Sequence, residues 1–176
     1  DLNELNNLPC IFIANEFFDA LPIKQFIKIN DKWNEKHVKF TNQMKPEFVN
    51  IPFNMQKFEK KLKFKISSEQ KFIEYSPLVF EYLKNITNKI KLNNGAILII
   101  DYGYIGKKMK NTLQAVSKHK YTDVLSGFGN SDITYNLSFH LINQMIKKFG
   151  SFFYITTTQK KFLTKLGILE RAEILS

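Results

Sequence analysis

Residues 11–22, with the sequence IFIANEFFDALP, constrain the fold of this chain more than any other stretch. Residues 11–14 are apolar and partly β-branched, which is typical of a short strand covered on both faces. Asn15, Glu16 and Asp19 follow among aromatic residues. Polar groups at the carboxyl end of a strand lie where α/β sheets bind ligands. Two carboxylates there could hold a cation, orient an amine or guanidinium, or accept a proton.

A plainer interpretation of the same stretch stays open at this point. Asn15 could cap a turn, Glu16 and Asp19 could face solvent, and Phe17 and Phe18 could belong to the core. Spacing alone does not separate this interpretation from a ligand site.

A second apolar run, residues 96–100, is followed by Asp101, Tyr102 and Gly103. A helix is predicted between the two runs. It begins at Ser76 and Pro77, which are typical of an N-cap and a first helical position, and apolar residues then recur at helical spacing. Two apolar strands that both end in acidic residues, joined by a segment with a helix, predict neighbouring parallel strands.

The other segments complete an α/β pattern with a β-hairpin. Alternation predicts the hairpin at residues 23–29 and 32–40. The remaining expectations, in chain order, are a loop or insertion at 41–57, a helix or strand at 58–66, a strand at 70–75, a long polar connection at 103–135, a helix at 138–149, a strand at 152–157 and a helix at 158–166 that ends at Gly167.

The net charge of +10 predicts attraction to anions. However, the lysines are dispersed and Arg171 is the single arginine, which argues against specific recognition of nucleic acid. Cys10 is the single cysteine, so the chain has no intramolecular disulfide and no CxxC metal motif. Glycine-rich nucleotide loops, HExxH and GxSxG are missing. No apolar run approaches the length of a membrane span, and the first residues do not form a signal peptide.

Five motifs carry a family resemblance. They are, in chain order, NEFFDALPIKQF at 15–26, EYSP at 74–77, GAILIIDYG at 95–103, TLQAVSKH at 112–119 and TQKKFLTKLGI at 158–168. Together they resemble the MidA-type family of class I S-adenosylmethionine-dependent methyltransferases. The chain departs from the family pattern at Asn111, Asn136 and Ser138, where Asp, His and Asp are usual.

The resemblance implies a partial Rossmann-like class I methyltransferase fold, from its fourth strand onward. Residues 1–176 would form one partial domain with an insertion at about 23–70. The first three strands and the glycine-rich cofactor loop of the family would precede Asp1, so we expect a piece cut at both ends. The family's cofactor is S-adenosylmethionine. Its mitochondrial members methylate a protein arginine and assist assembly of respiratory complex I, which implies a protein substrate and a mitochondrial matrix or bacterial cytoplasmic location.

The same resemblance implies roles for particular side chains and no role for a metal ion. Glu16 and Asp19 would hold and polarise the guanidinium that accepts the methyl group. The other implied residues are Asn15 and Phe17 on the cofactor side, and Asp101, Tyr102 and His119 on the substrate side.

Two other functions remain open. The chain could be an inactive remnant or interaction module without a cofactor site, or an anion-binding domain that acts through its positive charge. Without the first three strands, one edge of the strand at residues 11–14 would be unpaired. We therefore expect the isolated chain to be unstable or to self-associate through that edge. We also expect it to be inactive, because it lacks the glycine-rich cofactor loop.

Overall fold

A computed structural model of the protein describes residues 8–176. Its strands are β1 (Cys10–Asn15), β2 (Lys24–Ile29), β3 (Lys32–Phe40), β4 (Pro46–Pro52), β5 (Phe72–Tyr75), β6 (Gly95–Ile100), β7 (Gly103–Tyr104), β8 (Gln114–Ser117), β9 (Lys120–Thr122), β10 (Asp132–Thr134) and β11 (Leu137–Ser138). Its helices are α1 (Met55–Leu62), α2 (Pro77–Asn93), α3 (Phe139–Phe149), α4 (Gln159–Lys165) and α5 (Ile168–Leu175).

The predicted parallel pair is present as β1 and β6. The two strands run in register from Cys10 opposite Gly95 to Asn15 opposite Ile100, and helix α2 contacts both. Gly95 permits this pairing, because its φ is +139° and an added Cβ would lie 2.1 Å from the carbonyl oxygen of Cys10. The pairing brings the two acidic strand ends together, as the sequence predicts.

The prediction that residues 11–14 are covered on both faces is wrong. Within residues 8–176, one face of this strand is exposed. Ile11 and Ile13 are 76% and 68% exposed, whereas Ala14 is buried. Side chains alternate between the faces of a strand. The two isoleucines therefore point to the face opposite helix α2, against which no described element packs.

A second, antiparallel sheet lies beside this pair in the order β4-β3-β2-β5. The predicted hairpin forms its centre, and Asn30 and Asp31 make the two-residue turn at φ of 46° and 60°. The predicted loop at 41–57 is wrong, since this segment contains β4 and the start of helix α1. Pro46 and Pro52 suggested a loop, but they stand at the ends of an edge strand, where a missing N–H is tolerated.

The predicted helices are present and have their expected caps. The hydroxyls of Ser76, Ser138 and Thr158 accept backbone N–H groups at the starts of α2, α3 and α4. Helix α1 settles the ambiguous segment at 58–66 as a helix in its first half. Gly167, at φ +82°, separates α4 from α5.

The predicted strand at 152–157 is wrong. This segment forms no strand, and Phe153 is 90% exposed. Its β-forming residues have no neighbouring strand to pair with among residues 8–176, and a strand exists only through such pairing. The long connection at 103–135 is not irregular throughout, because it contains strands β7 to β10.

One hydrophobic core joins the antiparallel sheet to α2, α3 and the acidic strand ends. Its fully buried side chains are Phe18, Phe26, Ile73, Leu83, Leu137 and Met145. Phe18 therefore ties the turn after β1 to the centre of the molecule.

Candidate active site

The carboxyl ends of β1 and β6 form one acidic site. The Glu16 N–H donates to the Ile100 carbonyl at 2.8 Å, which extends the parallel pairing by one residue. Glu16 then takes a left-handed φ of 45°, an uncommon conformation for a residue with a side chain. This conformation turns the chain sharply, so that the acidic turn (residues 16–19) folds back over the end of β6.

Asp101 holds this turn in place. Its Oδ2 accepts the N–H groups of Phe18 at 3.0 Å and Asp19 at 3.2 Å, and its Oδ1 accepts that of Tyr102 at 2.9 Å. Both oxygens are thus committed to the backbone. The sequence predicted Asp101 as a substrate-binding residue, which stays a prediction. Its contacts among residues 8–176 show that it fixes the turn.

The site concentrates negative charge where water is partly excluded. Burial and, secondly, the charge of Asp19 raise the pKa of Asp101 to about 6. Burial also raises the pKa of Asp19, whose side chain is 6% exposed, and the charge of Glu16 adds to the effect. The charge of Glu16 and a hydrogen bond to it raise the pKa of the exposed Tyr102 phenol.

No cationic side chain of residues 8–176 balances these carboxylates. The ion pairs of that range engage Glu35 and Asp31, in the antiparallel sheet. Nor do three or more His, Cys, Asp or Glu side chains of that range lie together as metal ligands. The arrangement is suited to an organic cation, which would relieve the mutual repulsion of the acids and could form charge-assisted hydrogen bonds with them.

The two residues predicted on the cofactor side also lie at this edge. Asn15 ends β1 and is exposed. Phe17 is 41% exposed, with its ring 5.3 Å from those of Phe18 and Tyr82. Phe17 therefore offers an apolar surface beside the acids, held by aromatic contacts on its inner side.

His119 lies in a hairpin turn. Together with Lys118 it makes the exposed two-residue turn between β8 and β9, at φ of 61° and 49°. Within residues 8–176 no hydrogen bond, ion pair or ring contact joins it to the acidic turn. Its position reflects the backbone that a tight hairpin requires.

Sequence reasoning missed two buried residues behind the site. Tyr135 donates its N–H to the Asp19 carbonyl at 3.1 Å and is 6% exposed. Glu74, 5% exposed, accepts hydrogen bonds from the connection after β6. The one signal for Glu74 was its place beside Ser76 and Pro77 in the EYSP motif.

Comparison with known proteins decides the family. A family model described as "Putative S-adenosyl-L-methionine-dependent methyltransferase" matches residues 1–156. The chain belongs to this family. The resemblance of its motifs to methyltransferases is thereby confirmed, and so is S-adenosylmethionine as the cofactor of the family.

Curated relatives carry a more specific name. The Caenorhabditis elegans protein arginine methyltransferase NDUFAF7 homolog, mitochondrial, is 31% identical over 163 residues, which are 92% of this chain and 38% of the relative. The human protein arginine methyltransferase NDUFAF7, mitochondrial, is 29% identical over 178 residues, covering 99% of this chain and 39% of the relative. The chain thus spans about two fifths of the length of these relatives.

Solved structures share the fold. A crystal structure from Burkholderia thailandensis has a TM-score of 0.67 at 18% identity, over 84% of this chain and 41% of the other. A second, from the same organism and bound to S-adenosyl-homocysteine, has a TM-score of 0.65 at 18% identity, over 84% and 40%. The mixed α/β architecture of this chain is therefore that of these proteins. No helix in residues 8–176 is long and apolar enough to cross a membrane.

Proposed function

We propose that this chain provides the methyl-acceptor side of a protein arginine methyltransferase that uses S-adenosylmethionine. The observation that carries the proposal is the convergence of Glu16, Asp19 and Asp101 at the ends of two parallel strands, without a cationic partner among residues 8–176. A guanidinium is planar and can pair with two carboxylate oxygens at once.

The roles of the acids follow from their contacts. The Glu16 carboxylate is exposed at the turn, and its negative charge raises the pKa of the neighbouring Tyr102 phenol. It is therefore open to accept two guanidinium N–H groups. Asp19, buried behind it, supplies negative charge that favours the cationic substrate. Asp101 accepts the backbone N–H groups of Phe18 and Asp19 and thereby keeps Glu16 and Asp19 at their positions.

These residues orient one guanidinium nitrogen and favour its proton loss as the new N–C bond forms. A raised carboxylate pKa makes Asp19 a better proton acceptor than an ordinary aspartate. When bound, S-adenosylmethionine supplies the methyl group, and its sulfur retains the electrons of the S–CH₃ bond.

The described residues fit one side of a cofactor site. The exposed Asn15 amide and the exposed ring edge of Phe17 flank the acids at the carboxyl end of β1, where α/β sheets bind ligands. The chain would contribute the part of a Rossmann-like fold from the fourth strand onward, with residues 23–70 as an insertion. The glycine-rich loop and the first three strands would come from the remainder of the protein.

The names of the relatives extend the proposal to substrate and location. We propose a protein substrate, with a subunit of respiratory complex I as the first candidate, and a mitochondrial matrix location if the source is eukaryotic. A non-enzymatic interaction module is the second candidate function. It is favoured by the exposed apolar face of β1, where Ile11 and Ile13 are 76% and 68% exposed.

Substitution of Glu16 tests the proposal. Glu16→Gln keeps the shape of the side chain and removes its charge, and we expect methylation by the longest natural form of the protein to fall about 100-fold. Glu47→Gln, on the exposed face of edge strand β4, is the matched control. Mass spectrometry of an arginine-containing substrate peptide measures the product. Equal methylation by both variants would remove Glu16 from the reaction.

A further inference from the structure

The segment 135–137 connects the two halves of the acidic site. Tyr135 donates its N–H to the Asp19 carbonyl at 3.1 Å, and Leu137 donates to the Tyr102 carbonyl at 2.9 Å. Between them, Asn136 donates to the Thr112 hydroxyl at 3.0 Å. Three successive N–H groups thus bind the acidic turn, the connection after β6, and the end of β6. We call residues 135–137 the bridging segment.

Glu74 fixes the middle one of these three hydrogen bonds. Its Oε2 accepts the Thr112 hydroxyl at 2.5 Å, and its Oε1 accepts the N–H groups of Thr112 at 2.9 Å and Leu113 at 3.1 Å. A carboxylate can only accept, so the Thr112 hydroxyl proton points to Glu74. The Thr112 oxygen is then left as the acceptor for the Asn136 N–H.

Glu74 is itself held from the antiparallel sheet. The Gln25 amide, on β2, donates to Glu74 Oε1 at 2.8 Å and to Asn111 Oδ1 at 2.9 Å. Glu74 is buried and no cation of residues 8–176 pairs with it. A buried carboxylate without a countercharge is costly unless its oxygens are fully hydrogen-bonded. Its position therefore depends on these neutral donors being held in place.

We propose that Glu74 is a positioning residue for the acidic site. It orients Thr112, Thr112 holds the bridging segment, and the bridging segment sets the separation between Asp19 and Tyr102. The antiparallel sheet thereby determines the geometry of a site that lies on the parallel strands. This inference deepens the proposed function and rests on it for the statement that the acidic site binds substrate.

The first test replaces the hydroxyl that relays this contact. Thr112→Val removes the hydrogen-bonding group and keeps the shape of the side chain. Amide hydrogen exchange, measured by NMR on the 176-residue chain, should accelerate at Tyr135, Asn136 and Leu137 by about tenfold relative to amides of β3. Thr112→Ser keeps the hydroxyl and should restore the wild-type exchange rates.

A matched control separates positioning from general destabilisation. Thr87 is also a buried threonine, but its hydroxyl donates to the Leu83 carbonyl within its own helix. Thr87→Val should leave the relative exchange rates of the bridging segment unchanged. Equal acceleration of the bridging segment in the Thr87 and Thr112 variants, or none in Thr112→Val, would overturn the proposal.

The second measurement reads the site itself. Burial is the main cause of the raised pKa of Asp101, so a loosened turn should admit water and lower the Asp101 titration midpoint in ¹³C carboxyl NMR. We expect this shift in Glu74→Gln and Thr112→Val but not in Thr87→Val. An unchanged midpoint in both site variants would also overturn the proposal.

The same samples keep the two proposals distinguishable. N-acetyl-arginine amide, titrated into the wild-type chain, probes guanidinium binding through the amide shifts of Glu16 and Asp19. If those shifts do not move while Thr112→Val still accelerates exchange at Asn136, the proposed function fails and the positioning role stands. If those shifts move but Thr112→Val does not accelerate exchange at Asn136, the positioning role fails and the proposed function stands.

Discussion

Asp101→Asn should stabilise the protein at neutral pH and remove part of the pH dependence of its free energy of unfolding. The pKa of Asp101 is raised from 3.8 to about 6 in the folded protein. The folded state therefore binds the Asp101 proton more tightly than the unfolded chain does. The resulting stability is fully present below about pH 4 and is lost as the pH rises through about 6.

The size of the effect follows from that pKa difference. Two pKa units correspond to about 3 kcal/mol, and the partial exposure of Asp101 reduces this to about 1–2 kcal/mol. The asparagine oxygen can still accept the N–H groups of Phe18 and Asp19. Its NH₂ group loses the bond to the exposed Tyr102 N–H, a loss of about 0.5 kcal/mol that water partly replaces. We expect a net gain of about 1 kcal/mol at pH 7.5.

Urea unfolding of both proteins between pH 4.5 and 8 measures this difference. The free energy of unfolding of Asp101→Asn should exceed that of the wild type at pH 7.5, and the excess should vanish as the pH falls to 4.5. Asp132→Asn, at an exposed position on β10, controls for loss of an aspartate and should follow the wild-type curve. Parallel curves for Asp101→Asn and wild type would refute the electrostatic account of the site.

Two further perturbations test the fold around the site. Ile13→Lys should weaken the concentration-dependent self-association that we predict through the edge of β1 that is unpaired among residues 8–176, because a lysine on an edge strand opposes its pairing with another chain. Sedimentation velocity measures the association, and a wild-type chain that stays monomeric at high concentration would contradict the prediction. Phe18→Ala should lower the free energy of unfolding by about 3–5 kcal/mol, because Phe18 is fully buried. Phe17→Ala should lower it far less, because Phe17 is 41% exposed. Equal losses of the two variants in chemical denaturation would show that the acidic turn is not tied to the core.

The sequence was informative where structure depends on neighbouring residues. Ser76 followed by Pro77, and Gly167 after a helical repeat, predicted helix boundaries that are present. The two apolar runs before Glu16 and Asp101 predicted parallel neighbours. In each case a capping side chain, a fixed φ or a side-chain period is set within a few residues.

The sequence was uninformative where structure depends on distant partners. Phe153 belongs to a segment with strand-forming residues but no partner among residues 8–176, so no strand forms there. Pro46 and Pro52 predicted a loop where strand β4 is present. A strand tolerates proline at an edge of the sheet, and the edge position of β4 is set by distant residues. The role of Glu74 depends on its contact with Thr112, 38 residues away, and no local sequence pattern predicts that contact.

A similar division applies to the acidic site. The convergence of Glu16, Asp19 and Asp101 was predictable because polar residues directly after apolar strands are a local signal. That Asp101 binds backbone N–H groups across 83 residues was not predictable from spacing. His119 was assigned to the site from its place in a motif, although its backbone conformation belongs to a hairpin turn.

The long separation between β1 and β6 also has a consequence for the order of folding. Phe18 and Asp101 meet across 83 residues, whereas β2 and β3 are joined by a two-residue turn. Contacts close in sequence form first, because closing a long loop costs more chain entropy. We expect the antiparallel sheet to form early and the parallel pair late. The acidic site would then be among the last parts of the chain to assemble, so that a nascent or partly unfolded chain does not yet present the proposed guanidinium site.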